Sequence, residues 1–112
     1  MLPQKNRIAR KDFPTGPRQG FRVFSPLFSG VVHPQKGGGV RVSVVVSKKT
    51  AKTAVVRNSL RRRFYAAMSP YLASFSQGAL IVLYPKIEAK KASYSILKTE
   101  VETALRHAKL LK

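Results

Sequence analysis

Cysteine is absent from this chain, which excludes disulfide staples, thiolate metal sites and thiol nucleophiles, and fits a reducing cytoplasm. Acidic residues are almost absent as well: Asp12, Glu88, Glu100 and Glu102 stand against 22 lysines and arginines. A two-metal nuclease built from protein needs several convergent carboxylates to neutralise and orient its cations. Here Asp12 is isolated, and Glu100 and Glu102 lie two positions apart on an expected helix, pointing in different directions. The only imidazoles, His33 and His107, have no metal-ligand spacing with each other. The hydroxyls of SPYLASFSQG have no adjacent base and orienting acid. Gly37 to Gly39 lack the Lys and Ser or Thr of a phosphate loop. Long apolar runs are missing too. ALIVLY, 79 to 84, is far short of a membrane span, and MLPQKNRIARKDF has no export core, so a soluble cytoplasmic protein without a membrane partner is expected.

What is present is positive charge on a foldable background. The chain has 112 residues, 44% of them hydrophobic, enough for one modest core, so a single domain spanning 1 to 112 is expected. Its formal net charge of +18 is spread over every segment rather than confined to a tail, and it far exceeds what solubility requires. The partner this predicts is a polyanion.

Periodicity orders the chain as helix, two or three strands, helix, strand, helix. A short helix before Pro14 is compatible with the opening; Pro14, Gly16, Pro17 and Gly20 then interrupt it. FRVFSPLFSGVV, 21 to 32, reads as an extended segment with a kink or edge position near Pro26, and HPQKGGG, 33 to 39, as a loop. VRVSVVVS, 40 to 47, alternates with Val42, Val44 and Val46 on one face, and a hairpin pairing it with 21 to 32 is expected. Val56, Leu60, Phe64, Ala67 and Met68 then recur at helical spacing, with Asn58, Arg61, Arg62 and Tyr65 opposite or flanking. SPYLASF supplies a further helical turn, ALIVLY a buried central strand, EAKKASYS a solvated connection, and about 93 to 111 a covering helix through Tyr94, Leu97, Val101, Ala104, Ala108 and Leu111. The architecture expected is a small two-layer α/β sandwich.

The chemistry concentrates in SKKTAKTAVVRNSLRRRF. Arg57, Arg61, Arg62 and Arg63 offer planar forks to phosphate, and Lys48, Lys49 and Lys52 add less directional attraction. Asn58 can donate and accept within this cationic setting, or else bond to backbone at a helix start. Many charged helices simply face water. Against that, no acid occurs from residue 13 to residue 87, so these charges repel unless a ligand or salt screens them, and nucleic-acid backbone is the ligand expected. Phe64 and Phe75 belong to a core, whereas Phe13, Phe21, Phe24, Phe28, Tyr65 and Tyr84 divide between core and stacking surfaces.

VSKK, 46 to 49, followed by AVVRNSLRRR, 54 to 63, resembles the bacterial ribonuclease P protein component, whose basic helix carries an RNxxKR signature, here Arg57, Asn58, Ser59, Leu60, Arg61 and Arg62. KNRIARKDF resembles the family's opening, and ALIVLYP and SYSILKTEVE follow in the family's order. The resemblance implies a subunit of a ribonucleoprotein endonuclease, in which a catalytic RNA removes the 5′ leader of precursor tRNA with magnesium held mainly by RNA and no organic cofactor. It implies a mixed, about four-stranded sheet with a left-handed strand-helix-strand crossover, and partnership with the catalytic RNA and precursor tRNA but no obligate protein partner. It places Lys48, Lys49, Lys52, Arg57, Asn58, Arg61, Arg62 and Arg63 toward catalytic RNA, and Phe13 and Phe28 toward the leader. No catalytic or metal-binding residue is implied on the protein. A structural or ribosomal RNA-binding protein is the alternative that composition alone leaves open.

The sequence also departs from the pattern. Ser59 stands where a second arginine often follows Asn, Pro17 and Val31 where further aromatics are common, and TAKTA lacks a frequent glycine.

Overall fold

A computed structural model describes residues 20–35, 39–75 and 78–108. Strands β1 (Phe21–Phe24), β2 (Phe28–Gln35) and β3 (Val40–Val44) precede helix α1 (Ala54–Met68), and strand β4 (Gly78–Pro85) precedes helix α2 (Tyr94–His107). The expected helix before Pro14, and Leu111 at the end, lie outside the described residues.

The segment from 21 to 32 is not one kinked strand. It reverses at Ser25, Pro26 and Leu27: the Ser25 amide donates to the Phe28 carbonyl at 2.9 Å, and the Leu27 amide donates to Ser25 Oγ at 3.1 Å. Pro26, lacking an amide, suits this turn, and β1 folds antiparallel onto β2.

The four-stranded sheet has the order β1-β2-β4-β3. The expected hairpin between β2 and β3 therefore does not form. The strand between them is β4, antiparallel to β2 from Phe28↔Pro85 to Gln35↔Gly78 and parallel to β3 from Val40↔Ala79 to Val44↔Leu83. The physical reason lies in composition: GALIVLYP is apolar on both sides of its pleat, with Ile81, Val82 and Leu83 all buried, and such a strand gains most in the middle of a sheet. The parallel neighbours β3 and β4 are joined by the crossover helix α1.

Residues directly opposite each other across the ladders share a face. One face, carrying Val23, Phe28, Val32, Val42, Ile81 and Leu83, is buried beneath the helices. Gly30 lies on it, where a Cβ would come within 2.9 Å of both the Leu83 and Val23 side chains; only glycine lets those two close over the strand. Onto this face α1 lowers Leu60, Phe64, Ala67 and Met68, and the Phe64 ring meets Phe28 edge to face with centroids 5.6 Å apart.

Two positions of α1 differ from expectation. Val56 is 39% exposed, and burial along α1 begins at Leu60. Tyr65 is buried, since its hydroxyl accepts the Val44 amide at 3.3 Å. That amide lies on the side of β3 turned away from β4, so Tyr65 closes part of a sheet edge. The connection EAKKASYS is also less solvated than expected. It begins in a 3-10 turn, Ile87–Lys90, whose Ala89 is fully buried.

Capping fixes both helix starts: Thr53 Oγ1 accepts the Val56 amide and Ser93 Oγ the Ile96 amide. A 3-10 turn, Ser69–Ser74, follows α1 and is tied to α2 through Tyr71, whose hydroxyl donates to Glu102 at 3.0 Å. Arg106 Nε donates to the other oxygen of Glu102 at 2.9 Å. The hydrogen bond from Arg106, then that from Tyr71, holds the Glu102 carboxyl below the ordinary carboxylate value. Burial first, then this carboxylate, pushes the Tyr71 phenol up.

Leu60→Ala is expected to destabilise the domain by about 2–5 kcal/mol in denaturant unfolding; a loss below half of the lower figure would mean the stripe does not anchor α1. For Glu102 the depressed folded-state value makes its contribution present near neutral pH and lost as acid protonates it, below the pH at which an unfolded glutamate titrates. Carboxyl NMR titration should show the Glu102 midpoint move upward in Tyr71→Phe, and an unmoved midpoint would contradict the hydrogen-bond assignment.

Candidate nucleic-acid interface

The turn before α1 is a built structure rather than a loose connection. The Thr50 and Ala51 amides both donate to the Ser47 carbonyl at 3.1 Å, the Ser47 and Thr50 hydroxyls bond each other at 3.1 Å, and Thr50 Oγ1 donates to the Pro85 carbonyl at 3.3 Å. Thr50 and Ala51 are buried, so Lys48 and Lys49 are lifted to the crest, both exposed. Lys52 follows, also exposed, with its carbonyl accepting from Arg57 Nη1 at 3.0 Å; the Ala51 carbonyl accepts from the same nitrogen at 3.0 Å. Arg57 thus closes the turn onto the helix, at a helix start that holds no acidic residue to balance it.

Along α1, each residue advances about 100° around the axis. Arg62, two positions beyond buried Leu60, therefore points away from the core, alongside exposed Asn58 and Ser59. Arg61 and Arg63 lie half-buried on opposite flanks. Arg61 Nη1 donates to Asn58 Oδ1, one turn back. Asn58 therefore steers a guanidinium on the helix surface rather than capping backbone. Arg63 takes the other direction: Nη1 donates to the Ala89 carbonyl at 3.3 Å and Nη2 to the Ala92 carbonyl. Of the residues assigned to one surface from sequence, Lys48, Lys49 and Lys52 lie on the turn and Arg57, Asn58, Arg61 and Arg62 on the helix that follows it, whereas Arg63 turns toward the connection between β4 and α2.

The aromatic rings divide between the core and the sheet's other face. Phe13 lies outside the described residues. Phe28 is 1% exposed, with its ring against Phe64 in the core, so no base can stack on it. The other face of the sheet, opposite the helices, carries exposed rings. Phe24 of β1 is 66% exposed and Tyr84 of β4 is 41% exposed; both lie opposite Ser29 of β2, in one row across three strands. At strand spacing the two rings stand roughly 10 Å apart. The next row holds Arg22, Val31, Val82 and Ser43, so the departure at Val31 falls on this same face. Recognising the turn at 25–27 is what the sequence reading lacked: it changes the alternation between Phe24 and Phe28 and puts them on opposite sides.

Among the described residues no group of three His, Asp or Glu side chains is placed to hold a metal ion. No helix there is long and apolar enough to cross a membrane.

The chain matches the Ribonuclease P family over residues 2–109. It is a member of the bacterial ribonuclease P protein family. The ribonuclease P protein component of a Pseudanabaena species is 32% identical over 113 residues, covering 99% of this chain and 97% of that one. The component from Streptomyces avermitilis is 34% identical over 116 residues, covering 95% and 94%. Among solved structures, the Staphylococcus aureus RNase P protein superposes with a TM-score of 0.72 at 22% identity, covering 84% of this chain and 85% of that one. The Thermotoga maritima RNase P protein gives 0.69 at 18% identity, covering 80% and 84%. These likenesses establish the fold. The mixed four-stranded sheet with two helices alongside is the ribonuclease P protein fold.

With Asn58 holding Arg61, an Asn58→Ala variant should weaken RNA binding although it removes no charge. By contrast, Thr53→Ala, which removes the cap, should cost about 1 kcal/mol of stability. Binding titrations beside thermal unfolding check both; unchanged RNA affinity in Asn58→Ala would contradict the steering role.

Proposed function

We propose that this chain is the protein subunit of ribonuclease P, engaging the catalytic RNA through α1 and the Ser47–Lys52 turn and the 5′ leader of precursor tRNA across the outer face of its sheet. The observation that carries the reading is the family match along nearly the entire chain. The geometry supports it in two ways. Arg61, Arg62, Lys48 and Lys49 stand outside the core on a scaffold anchored from beneath, suited to backbone phosphates. Phe24 and Tyr84 offer ring faces to unpaired bases, which tolerate any sequence, as a subunit serving many leaders requires.

The reaction is hydrolysis of one phosphodiester bond. Magnesium held by RNA and substrate supplies that chemistry, and the protein's part is to bind, align and neutralise phosphate charge. Among the described residues the carboxylates with side-chain partners, Glu100 with Ser25 and Glu102 with Tyr71 and Arg106, lie on α2 rather than on the cationic helix α1. Catalysis by the assembly and RNA binding by the chain are therefore separate properties, and the site of action is the cytoplasmic pool of precursor tRNA.

The test is leader removal by the cognate catalytic RNA, with and without protein, at low magnesium and near-physiological salt. Protein should accelerate cleavage and be inert alone; equal rates across both titrations would overturn the reading, and recovery with ribosomal particles without binding to the catalytic RNA would favour a structural role. Phe24→Ala and Tyr84→Ala should each weaken precursor binding by about 1–3 kcal/mol. Binding of the catalytic RNA should stay at the wild-type level. Unchanged precursor affinity in the double variant would remove the outer face from leader recognition.

A further inference from the structure

Of the arginines on the basic helix, Arg57 bonds the turn just before it, whereas the Arg63 guanidinium crosses to a segment distant in sequence. Its two terminal nitrogens reach carbonyls 26 and 29 residues away, those of Ala89 and Ala92. Ala89 is fully buried, so its carbonyl needs a partner, and a neutral donor would satisfy it. A guanidinium adds a full charge, and it does so next to Lys90 and Lys91, both exposed and neither in an ion pair among the described residues. Glu88, the acid within this turn, is exposed and makes no ion pair there either. The ion pair seen on α2 joins Arg106 to Glu102. Three cations, with Glu88 the one acid beside them, thus lie at one junction of α1 with the β4–α2 connection, an arrangement that attracts a polyanion and repels itself where salt does not screen it.

The place of this junction gives the repulsion a use. Arg63 lies about 100° around α1 from Arg62, which faces outward. The connection it binds borders the same helix on the side of α2, while the Ser47–Lys52 turn borders it at its start. We propose that Lys90 and Lys91 are a second phosphate-contacting element for the catalytic RNA, and that Arg63 is the positioning residue that holds them beside α1 through the Ala89 and Ala92 carbonyls. The inference rests on the reading that α1 faces that RNA, and it replaces direct contact by Arg63 with an indirect role.

The experiment measures affinity for the catalytic RNA against monovalent salt, using full-length protein. Variants are the pair Lys90→Gln with Lys91→Gln, Arg63→Met, all three together, and Arg62→Gln as a reference for the helix face. Each lost phosphate contact lowers the slope of log affinity against log salt by roughly 0.7–0.9, so the lysine pair should lower it by about 1.4–1.8. Arg63→Met should lower it by a similar amount, and the triple variant no further than the pair. A wild-type slope in the lysine pair, with the Arg62→Gln slope reduced, would overturn this inference alone; unreduced slopes in both would overturn the helix-face reading with it. Additive losses from Arg63→Met and the pair would mean that Arg63 touches RNA itself, against the positioning role. Thermal unfolding accompanies each titration, and because both lysines are exposed the pair decides the question even if Arg63→Met fails to fold.

Discussion

Everything on this molecule's cationic side depends on how the underside of α1 packs against the sheet. Leu60, Phe64, Ala67 and Met68 enter the core together, and Phe64 locks edge to face with Phe28. A helix with arginines at 57, 61, 62 and 63 and no acid of its own repels itself along its length. Its intrinsic stability in isolation is therefore poor, and tertiary burial supplies what propensity does not. The arginines that approach the core are given oxygen partners: Arg57 has the Ala51 and Lys52 carbonyls, Arg61 has Asn58, and Arg63 has Ala89 and Ala92. Arg62, between the last two, faces solvent.

The sheet separates two kinds of recognition chemistry. Its inner face supports the cationic helix, which suits regular phosphate spacing. Its outer face presents Phe24 and Tyr84 with Ser29 between them, which suits unstacked bases. On the proposed reading the protein binds the structured RNA with one layer and the single-stranded leader with the other, so a sheet one strand-thickness deep fixes their relative position. That mechanical role needs neither a nucleophile nor a metal cage on the protein, which agrees with a chain carrying only four acidic residues.

Much of this was legible from residue order. The alternation of Val42, Val44 and Val46, the four-residue steps from Leu60 to Phe64 to Met68, and the apolar ALIVLY each report a local period, and each became a buried face. The differences are non-local in three cases and a local turn in the fourth. Strand order is not encoded in a period, so β4 entered between β2 and β3 unannounced. A three-residue turn at Ser25 reversed the side on which the later phenylalanine falls. Tyr65 looked like a flanking polar residue until the Val44 amide, 21 positions away, gave its hydroxyl a reason to be inside. Arg63 looked like its neighbours because nothing nearby in sequence shows the carbonyls it binds. The family resemblance implied the function, and the fold shows which side chains of the motif are exposed: Asn58, Ser59 and Arg62.

The most direct measurement exploits the missing cysteine. A single thiol introduced as Ser59→Cys on the outward side of α1, or as Thr103→Cys on the exposed side of α2, can carry a tethered iron chelate that cleaves nearby RNA by hydroxyl radical. In the assembled complex, the probe at 59 should cut the catalytic RNA strongly at a confined set of nucleotides, with the probe at 103 weak. Equal cutting from both positions, or stronger cutting from 103, would show that the outward face of α1 is not where the RNA sits.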